Sequence, residues 1–126
     1  PSPALVVVMA ANNETGVIQP IAEIGSMVRS HGSLFFCDAI QAAGKIPLSM
    51  KGMNIDILSL SAHKIGGAAG VGALVVRDGI VLKPLLRGGG QELRRRAGTE
   101  NLAGCVGFGL AARLAMQDFF KVLTWI

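Results

Sequence analysis

Residues 5–9 read Leu-Val-Val-Val-Met, and residues 34–37 read Leu-Phe-Phe-Cys. Both are short, continuous apolar runs rich in β-branched or aromatic residues, and the first is bounded by Pro3 and Asn12. Such runs are typical of strands that are buried on both faces, as in a parallel sheet. We therefore expect two neighbouring parallel strands.

The segment between these runs has a helical pattern. Pro20 stands where the first turn of a helix tolerates proline, and we expect the helix to end near His31-Gly32. The apolar residues that follow the proline at helical spacing are Ile21, Ile24 and Val28. Strand, helix and strand then form one βαβ unit.

Further strands are expected after residues 39–51, which are rich in turns. Residues 55–60 (Ile-Asp-Ile-Leu-Ser-Leu) resume a strand, and a glycine-rich linker at residues 66–70 leads to another at residues 71–76. A hairpin-type turn at Arg77-Asp78-Gly79 closes that strand.

The last third of the chain divides into a loop and a helix. Residues 88–98 are mainly glycine and arginine, which predicts a loop. Residues 101–120 have the pattern of an amphipathic helix that packs on the sheet, with Thr99 as its cap. The expected apolar face includes Leu102, Val106, Leu110 and Leu114, with apolar neighbours at three- and four-residue spacing.

Composition supports an α/β fold, and the apolar strand runs with the βαβ unit predict a mainly parallel sheet flanked by helices. The chain has 126 residues, 17 glycines, 51% hydrophobic and only 16% charged residues, unlike a helical bundle. The net charge of +4 and the arginines at residues 94–96 raise nucleic-acid binding as an alternative. That run lacks interleaved aromatic residues and follows a glycine turn, so we expect a solvated or subunit-facing loop and no nucleic-acid partner.

The two cysteines, Cys37 and Cys105, lack metal-ligand spacing and stand among apolar residues, so we expect no metal site and two buried, structural thiols. No signal peptide or apolar run of membrane-spanning length is present, which predicts a cytoplasmic protein without a membrane partner. Because the chain begins without Met and opens almost directly into an apolar run, we expect a piece of a longer protein.

Polar residues that could bind a cofactor or act in catalysis follow the predicted strands. In parallel sheets ligands bind at the carboxyl ends of the strands. Taken alone, a lysine there is usually solvated and an aspartate usually caps a turn. Together they suit pyridoxal 5'-phosphate (PLP), which requires a lysine for an imine, an aspartate for its ring nitrogen and polar groups for its phosphate. The candidates are Asn13, Asp38, Gln41, Ser61, His63 and Lys64.

Five ordered segments strengthen this interpretation. They are NNETGVIQPI (12–21), DAIQAAGK (38–45), SAHK (61–64), GVGAL (70–74), and GGGQE (88–92) continuing to RAGTEN (96–101). Over residues 4–116 the chain resembles the NifS/IscS-type cysteine desulfurases, which belong to the class V aminotransferase family of fold-type I PLP enzymes. The resemblance implies that residues 1–126 are part of a PLP-binding large domain of the aspartate aminotransferase-like type. The N-terminal part, the C-terminal small domain and the catalytic-cysteine loop would lie outside it.

The resemblance also implies roles for individual residues. Lys64 would form the imine with PLP, and Asp38 would pair with the pyridinium nitrogen. The other implied cofactor-binding residues are Asn13 and Gln41 at the ring oxygen, Ser61 and His63 at the phosphate, and Thr99 at the phosphate of a neighbouring subunit.

The implied activity is conversion of L-cysteine to alanine, with sulfur passing to an enzyme persulfide and then to an acceptor protein, for iron-sulfur cluster assembly or other sulfur transfer. The implied full-length protein is a homodimer. Three alternatives remain open: a selenocysteine lyase, another class V aminotransferase, and an inactive fragment that at most binds PLP or associates with other chains.

Overall fold

The computed structural model describes residues 4–122, with side-chain surroundings for residues 4–119. Two 3₁₀ turns, Ala62–Ile65 and Glu92–Arg94, accompany the longer elements. Those elements are β1 (Leu5–Met9), α1 (Ile21–Ser30), β2 (Leu34–Asp38), β3 (Ile57–Ser61), β4 (Gly72–Val76) and α2 (Leu102–Val122).

The four strands form one sheet in the order β1-β2-β3-β4. β1 pairs with β2, and β2 with β3, in parallel, whereas β4 is antiparallel to β3. The βαβ unit and the mainly parallel sheet are therefore confirmed. The turn at Arg77 also forms, because the Ile80 amide donates to the Arg77 carbonyl over 3.3 Å. It does not close a hairpin, since residues 80–91 contain no returning strand.

The expectation that β1 is buried on both faces is wrong for the part of the chain that the structure describes. Leu5 and Val7 are 53% and 56% exposed, whereas Val6 and Val8 pack against the core. Alternate side chains of a strand point to opposite faces, so one face of β1 is covered and the other is not. Continuous apolar character could not reveal this difference.

The core lies between α1 and the middle of the sheet. Phe35 and Cys37 of β2 are fully buried, and Ile21 and Val28 of α1 belong to the same cluster. Gly25 permits this close packing because a Cβ at its position would overlap the backbone carbonyl of Met53. The amphipathic pattern of α1 thus becomes helix-to-sheet packing, which the hydrophobic effect stabilises.

One buried carboxylate connects three elements at the amino end of β3. Asp56 is 2% exposed, and its Oδ2 accepts the Phe35 amide of β2 over 2.9 Å. Its Oδ1 accepts from Arg77 Nε at 2.6 Å and lies 3.5 Å from Arg29 Nη2. A buried charge is tolerated when it is paired and hydrogen-bonded in this way.

Helix α2 packs through a different face from the predicted one. Leu102, Val106, Leu110 and Leu114 remain 46–73% exposed, whereas Phe108 and Ala111 are buried. The cap also differs: Asn101 Oδ1 accepts the Gly104 amide over 3.0 Å, so Asn101, and not Thr99, has the contacts of an N-cap. The predicted helix is therefore confirmed, whereas the four named positions of its apolar face and the Thr99 cap were wrong.

Asp56→Asn should lower the free energy of unfolding by about 2 kcal/mol, because the buried acceptor loses its charge and the two arginines lose their ionic partner. Urea denaturation measures the difference. Asp78→Asn, at an exposed neighbouring carboxylate, is the matched control and should change stability by less than about 0.5 kcal/mol. Equal losses in both variants would contradict the role of Asp56.

Candidate functional site

Apart from Thr99, the predicted site residues lie at or after the carboxyl ends of the three parallel strands, at one edge of the sheet. Asp38 is the last residue of β2 and Ser61 the last residue of β3. The register places Asp38 beside Met9 of β1 and Ser59 of β3. This is the edge at which parallel α/β sheets bind ligands.

Asp38 is fixed by its backbone and keeps part of its carboxylate available. The Ala10 amide donates to the Asp38 carbonyl over 2.8 Å. The Ile40 amide donates to Oδ1 over 2.9 Å. Within residues 4–119 no hydrogen bond reaches Oδ2. The half-buried carboxylate is thus oriented through Oδ1, while Oδ2 can accept a hydrogen bond from another group.

The turn that we call the lysine turn, Ala62–Ile65, directly continues β3. Ser61 Oγ and His63 Nδ1 lie 2.8 Å apart, and the tautomer of the imidazole decides which of them donates. Lys64 is half-buried, and no ion pair joins it to a carboxylate among residues 4–119. A hydroxyl at the end of β3 is therefore followed by an imidazole and an amine in the lysine turn.

The second turn of the site, residues 39–45, holds Gln41. We call it the glutamine turn. Lys45 folds back over it, and its Nζ lies 3.1 Å from the Gln41 carbonyl oxygen and 3.4 Å from Gln41 Oε1. Sequence reasoning did not assign Lys45 a role, although its position four residues after Gln41 is the spacing at which side chains meet in a helical turn.

Small residues of α2 hold the two turns together. A Cβ on Gly44 would lie 3.1 Å from Ala115 Cβ and 3.6 Å from Ile65 Cγ2. A Cβ on Gly67 would lie 3.2 Å from Ala111 Cβ. Such close contacts leave no room for larger side chains, so α2 supports both the glutamine turn and the lysine turn.

Asn13 lies in the turn after β1, but its side chain is exposed and its Nδ2 donates to Glu14 Oε1 over 2.7 Å. The neighbouring Asn12 builds this turn: its Oδ1 accepts the Glu14 and Thr15 amides, each over 2.9 Å. Sequence reasoning missed that role, which the Asx-turn preference of asparagine could have suggested.

Thr99 is exposed in the loop before α2, and the described contacts do not connect it to the other candidates. The predicted loop is confirmed apart from a short 3₁₀ turn, in which Glu92, Leu93 and Arg94 adopt positive φ angles of 48–65°. All three arginines at residues 94–96 are exposed, as expected. The role of Thr99 toward a second subunit stays a prediction.

Neither of two surface cavities among residues 4–119 is formed by the candidate site residues. The larger, about 600 Å³, opens at the amino end of β3 and is lined by Arg29, Lys51 and Arg77 among others. The smaller, about 390 Å³, lies between α2 and the two turns. The catalytic candidates line neither cavity, so the site is identified from its chemistry and strand-end position, not from cavity size.

The two cysteines differ. Burial, and secondarily the neighbouring Asp38 carboxylate, raise the pKa of the Cys37 thiol to about 11. Its predicted structural role is consistent with this complete burial. Cys105 is exposed on α2, which contradicts the expectation of a buried thiol. It lines the smaller cavity, between α2 and the two turns.

The chain belongs to the class V aminotransferase family, whose model matches residues 1–122. It is 57% identical over 113 residues to a cysteine desulfurase of Nostoc sp., a match covering 90% of this chain and 28% of that protein. A cysteine desulfurase of Klebsiella pneumoniae is 56% identical over 115 residues, with 91% and 29% covered. The chain thus spans less than a third of the length of the curated relatives it matches.

A solved structure agrees with these sequences. The NifS-like protein from Rickettsia africae ESF-5 superposes with a TM-score of 0.92 at 40% identity, over 94% of this chain and 33% of that one. The predicted resemblance and fold class are therefore confirmed. The assignment of residues 1–126 to a partial large domain stays a prediction.

Gly44→Ala should destabilise the protein by about 1 kcal/mol more than Gly32→Ala. Both glycines have positive φ, 71° and 65°, so the strain of a Cβ is similar. Only at Gly44 would the new Cβ press on α2, since nothing lies within 4 Å at Gly32. Urea denaturation compares the variants, and hydrogen exchange of residues 62–67 should rise only in Gly44→Ala. Equal losses would refute the packing role.

In native protein at pH 8, a thiol reagent should modify Cys105 and leave Cys37 untouched. The raised pKa keeps Cys37 protonated well above this pH, and burial denies access. Mass spectrometry of the two cysteine-containing peptides measures the labelling, and denatured protein, in which both should react, is the control. Rapid labelling of native Cys37 would contradict the burial of this strand.

Proposed function

We propose that this chain forms part of the cofactor site of a PLP-dependent cysteine desulfurase. The observation that carries the proposal is the Lys64 amine, placed directly after the Ser61–His63 pair and at the same sheet edge as Asp38. The relatives named cysteine desulfurase support it, as does a related solved structure, 45% identical, described as SspA in complex with cysteine. Because the chain covers less than a third of these relatives, the whole activity is a proposal.

The residues present fit PLP. Asp38 offers Oδ2 as an acceptor for a protonated ring nitrogen, and Lys64 has no carboxylate partner among residues 4–119 that would occupy its amine. Ser61 and His63 bring two polar groups together within 2.8 Å, which suits phosphate oxygens. When bound, PLP supplies a ring that accepts the electron pair released at the substrate α-carbon.

Each residue then has a distinct task. Lys64 would attach the cofactor through Nζ and, once the amine of L-cysteine replaces it, would carry a proton at the substrate α-carbon. Asp38 would keep the ring nitrogen protonated through its negative charge. Asn13 and Gln41 would donate to the ring oxygen, which requires Asn13 to exchange its contact with Glu14.

Sulfur transfer requires a further cysteine thiolate. The thiolate forms an S–S bond to the substrate sulfur, the substrate Cβ–S bond breaks, and Cβ takes up a proton to give alanine. Cys37 is unsuited to this role because it is buried and its pKa is raised to about 11. We do not assign the role to Cys105, because exposure and a place beside the smaller cavity do not by themselves make a thiol reactive.

The proposal also covers the assembly, partners and location of the protein. It includes a homodimer to which Thr99 contributes, an acceptor protein for the sulfur, use in iron-sulfur cluster assembly and a cytoplasmic location. The names of the relatives support the sulfur chemistry. Neither of the described helices has the combination of length and apolar character needed to cross a membrane.

Lys64→Ala should abolish the visible absorbance band of bound PLP and lower alanine formation from L-cysteine at least about a hundredfold, because both attachment and proton transfer are lost. The measurements are an absorbance spectrum after PLP addition and an alanine assay. Lys51→Ala, at an exposed lysine beyond the opposite end of β3, should leave both unchanged. A band that persists in Lys64→Ala would falsify the assignment.

A further inference from the structure

We propose that Lys45 is a positioning residue that fixes the orientation of the Gln41 amide, so that the amide nitrogen faces the ring oxygen of the cofactor. The inference rests on the proposed function and adds a residue to it. Its structural basis is the double contact of Lys45 Nζ with the Gln41 backbone oxygen, 3.1 Å, and with Gln41 Oε1, 3.4 Å.

The chemistry of the two groups makes this contact directional. A lysine ammonium has three donors and no acceptor, whereas a glutamine amide has an acceptor oxygen and a donor nitrogen. Lys45 therefore favours the rotamer in which Gln41 Oε1 points toward the ammonium. The Gln41 nitrogen then points away from Lys45, and a donor is what an anionic ring oxygen requires. The reversed amide would place its oxygen against that anion.

The glutamine turn explains why Lys45 reaches back to Gln41. The Lys45 amide donates to the Ala42 carbonyl over 3.0 Å. Among residues 4–122, no backbone amide within this turn donates to the Gln41 carbonyl. The Lys45 ammonium satisfies that oxygen, as lysines near the ends of helical turns do. Gly44, held against Ala115 of α2, fixes the path of the chain between the two residues.

The solvent exposure of Lys45 limits how much its contact with Gln41 can contribute to cofactor binding. Gln41 is half-buried and Lys45 is exposed, so water competes for the ammonium. We therefore expect a modest contribution to cofactor affinity, and a clearer effect on how the cofactor titrates.

The experiment measures PLP binding to the intact protein carrying Lys45→Met, Gln41→Ala or both changes. Lys45→Met should raise the Kd for PLP about three- to tenfold, the loss expected for one modest hydrogen bond. The pH midpoint of the visible band should rise as well. Without the Gln41 amide as a donor, the ring oxygen keeps more negative charge. The proton on the neighbouring Lys64 nitrogen is then held more tightly. A merely structural role for Lys45 would not move this midpoint.

Coupling between the residues provides the decisive comparison. In the Gln41→Ala background, Lys45→Met should change neither the Kd nor the midpoint further, because the amide that Lys45 orients is gone. Lys45→Arg keeps donors at the same place. Its Kd for PLP should therefore lie within about twofold of the wild-type value, and its pH midpoint should match that of the wild type. Lys51→Met, with the same change of charge at the other end of β3, is the control and should match the wild type.

The proposal is overturned if Lys45→Met behaves as the wild type while Gln41→Ala does not, or if the two single effects add in the double variant. If Lys45→Met does not fold, Lys45→Gln replaces it, with a smaller rise in both values expected and no change counting against the proposal. Failure of the proposed function is distinguishable: wild-type protein would then show no PLP band that Lys64→Ala removes, and the inference would fall with it.

Discussion

The buried carboxylate of Asp56 is the interaction on which the arrangement of the sheet depends. It accepts the Phe35 amide of β2 and pairs with Arg29 near the end of α1 and Arg77 directly after β4. An unpaired charge at this position would be strongly unfavourable, so the carboxylate is compatible only with packing that brings both arginines to it. The amino end of β3 is thereby fixed relative to α1, β2 and β4. The carboxyl end of the same strand carries Ser61 and leads into the lysine turn.

The candidate site therefore depends on β3, which is anchored at its amino end, and on α2, which packs beside the turn at the carboxyl end of β3. Ala115 of α2 packs against Gly44 of the glutamine turn, and Ala111 of α2 packs against Gly67, just after the lysine turn. The small size of these residues allows the close approach. Backbone hydrogen bonds fix the end of β2 and the start of the glutamine turn, at Asp38 and Ala39. Such support is what a cofactor site needs, because attachment and proton transfer both require fixed geometry.

Most of the fold could be predicted because its signals are local. The apolar runs of β1 and β2 and the helical spacing of α1 led to the βαβ unit, and the polar residues after the strands led to the site edge. The packed face of α2 could not be predicted in this way. Large residues such as Leu102 and Leu114 dominate a hydrophobic pattern, yet the structure leaves them exposed and uses Phe108, Ala111 and the small residues around them. Asn101 could have been found as the cap, since asparagine before an apolar helix is a strong start signal.

By itself, the sequence determined the order of strands and helices and the residue types at the strand ends, because periodicity and turn preferences act over a few neighbouring residues. Only the tertiary structure decided the antiparallel direction of β4, the exposure of Cys105 and the partners of Asp56. Two of those partners, Phe35 and Arg77, each lie 21 residues away from it in the chain. Contacts of this kind depend on how separate elements meet, which no local pattern encodes.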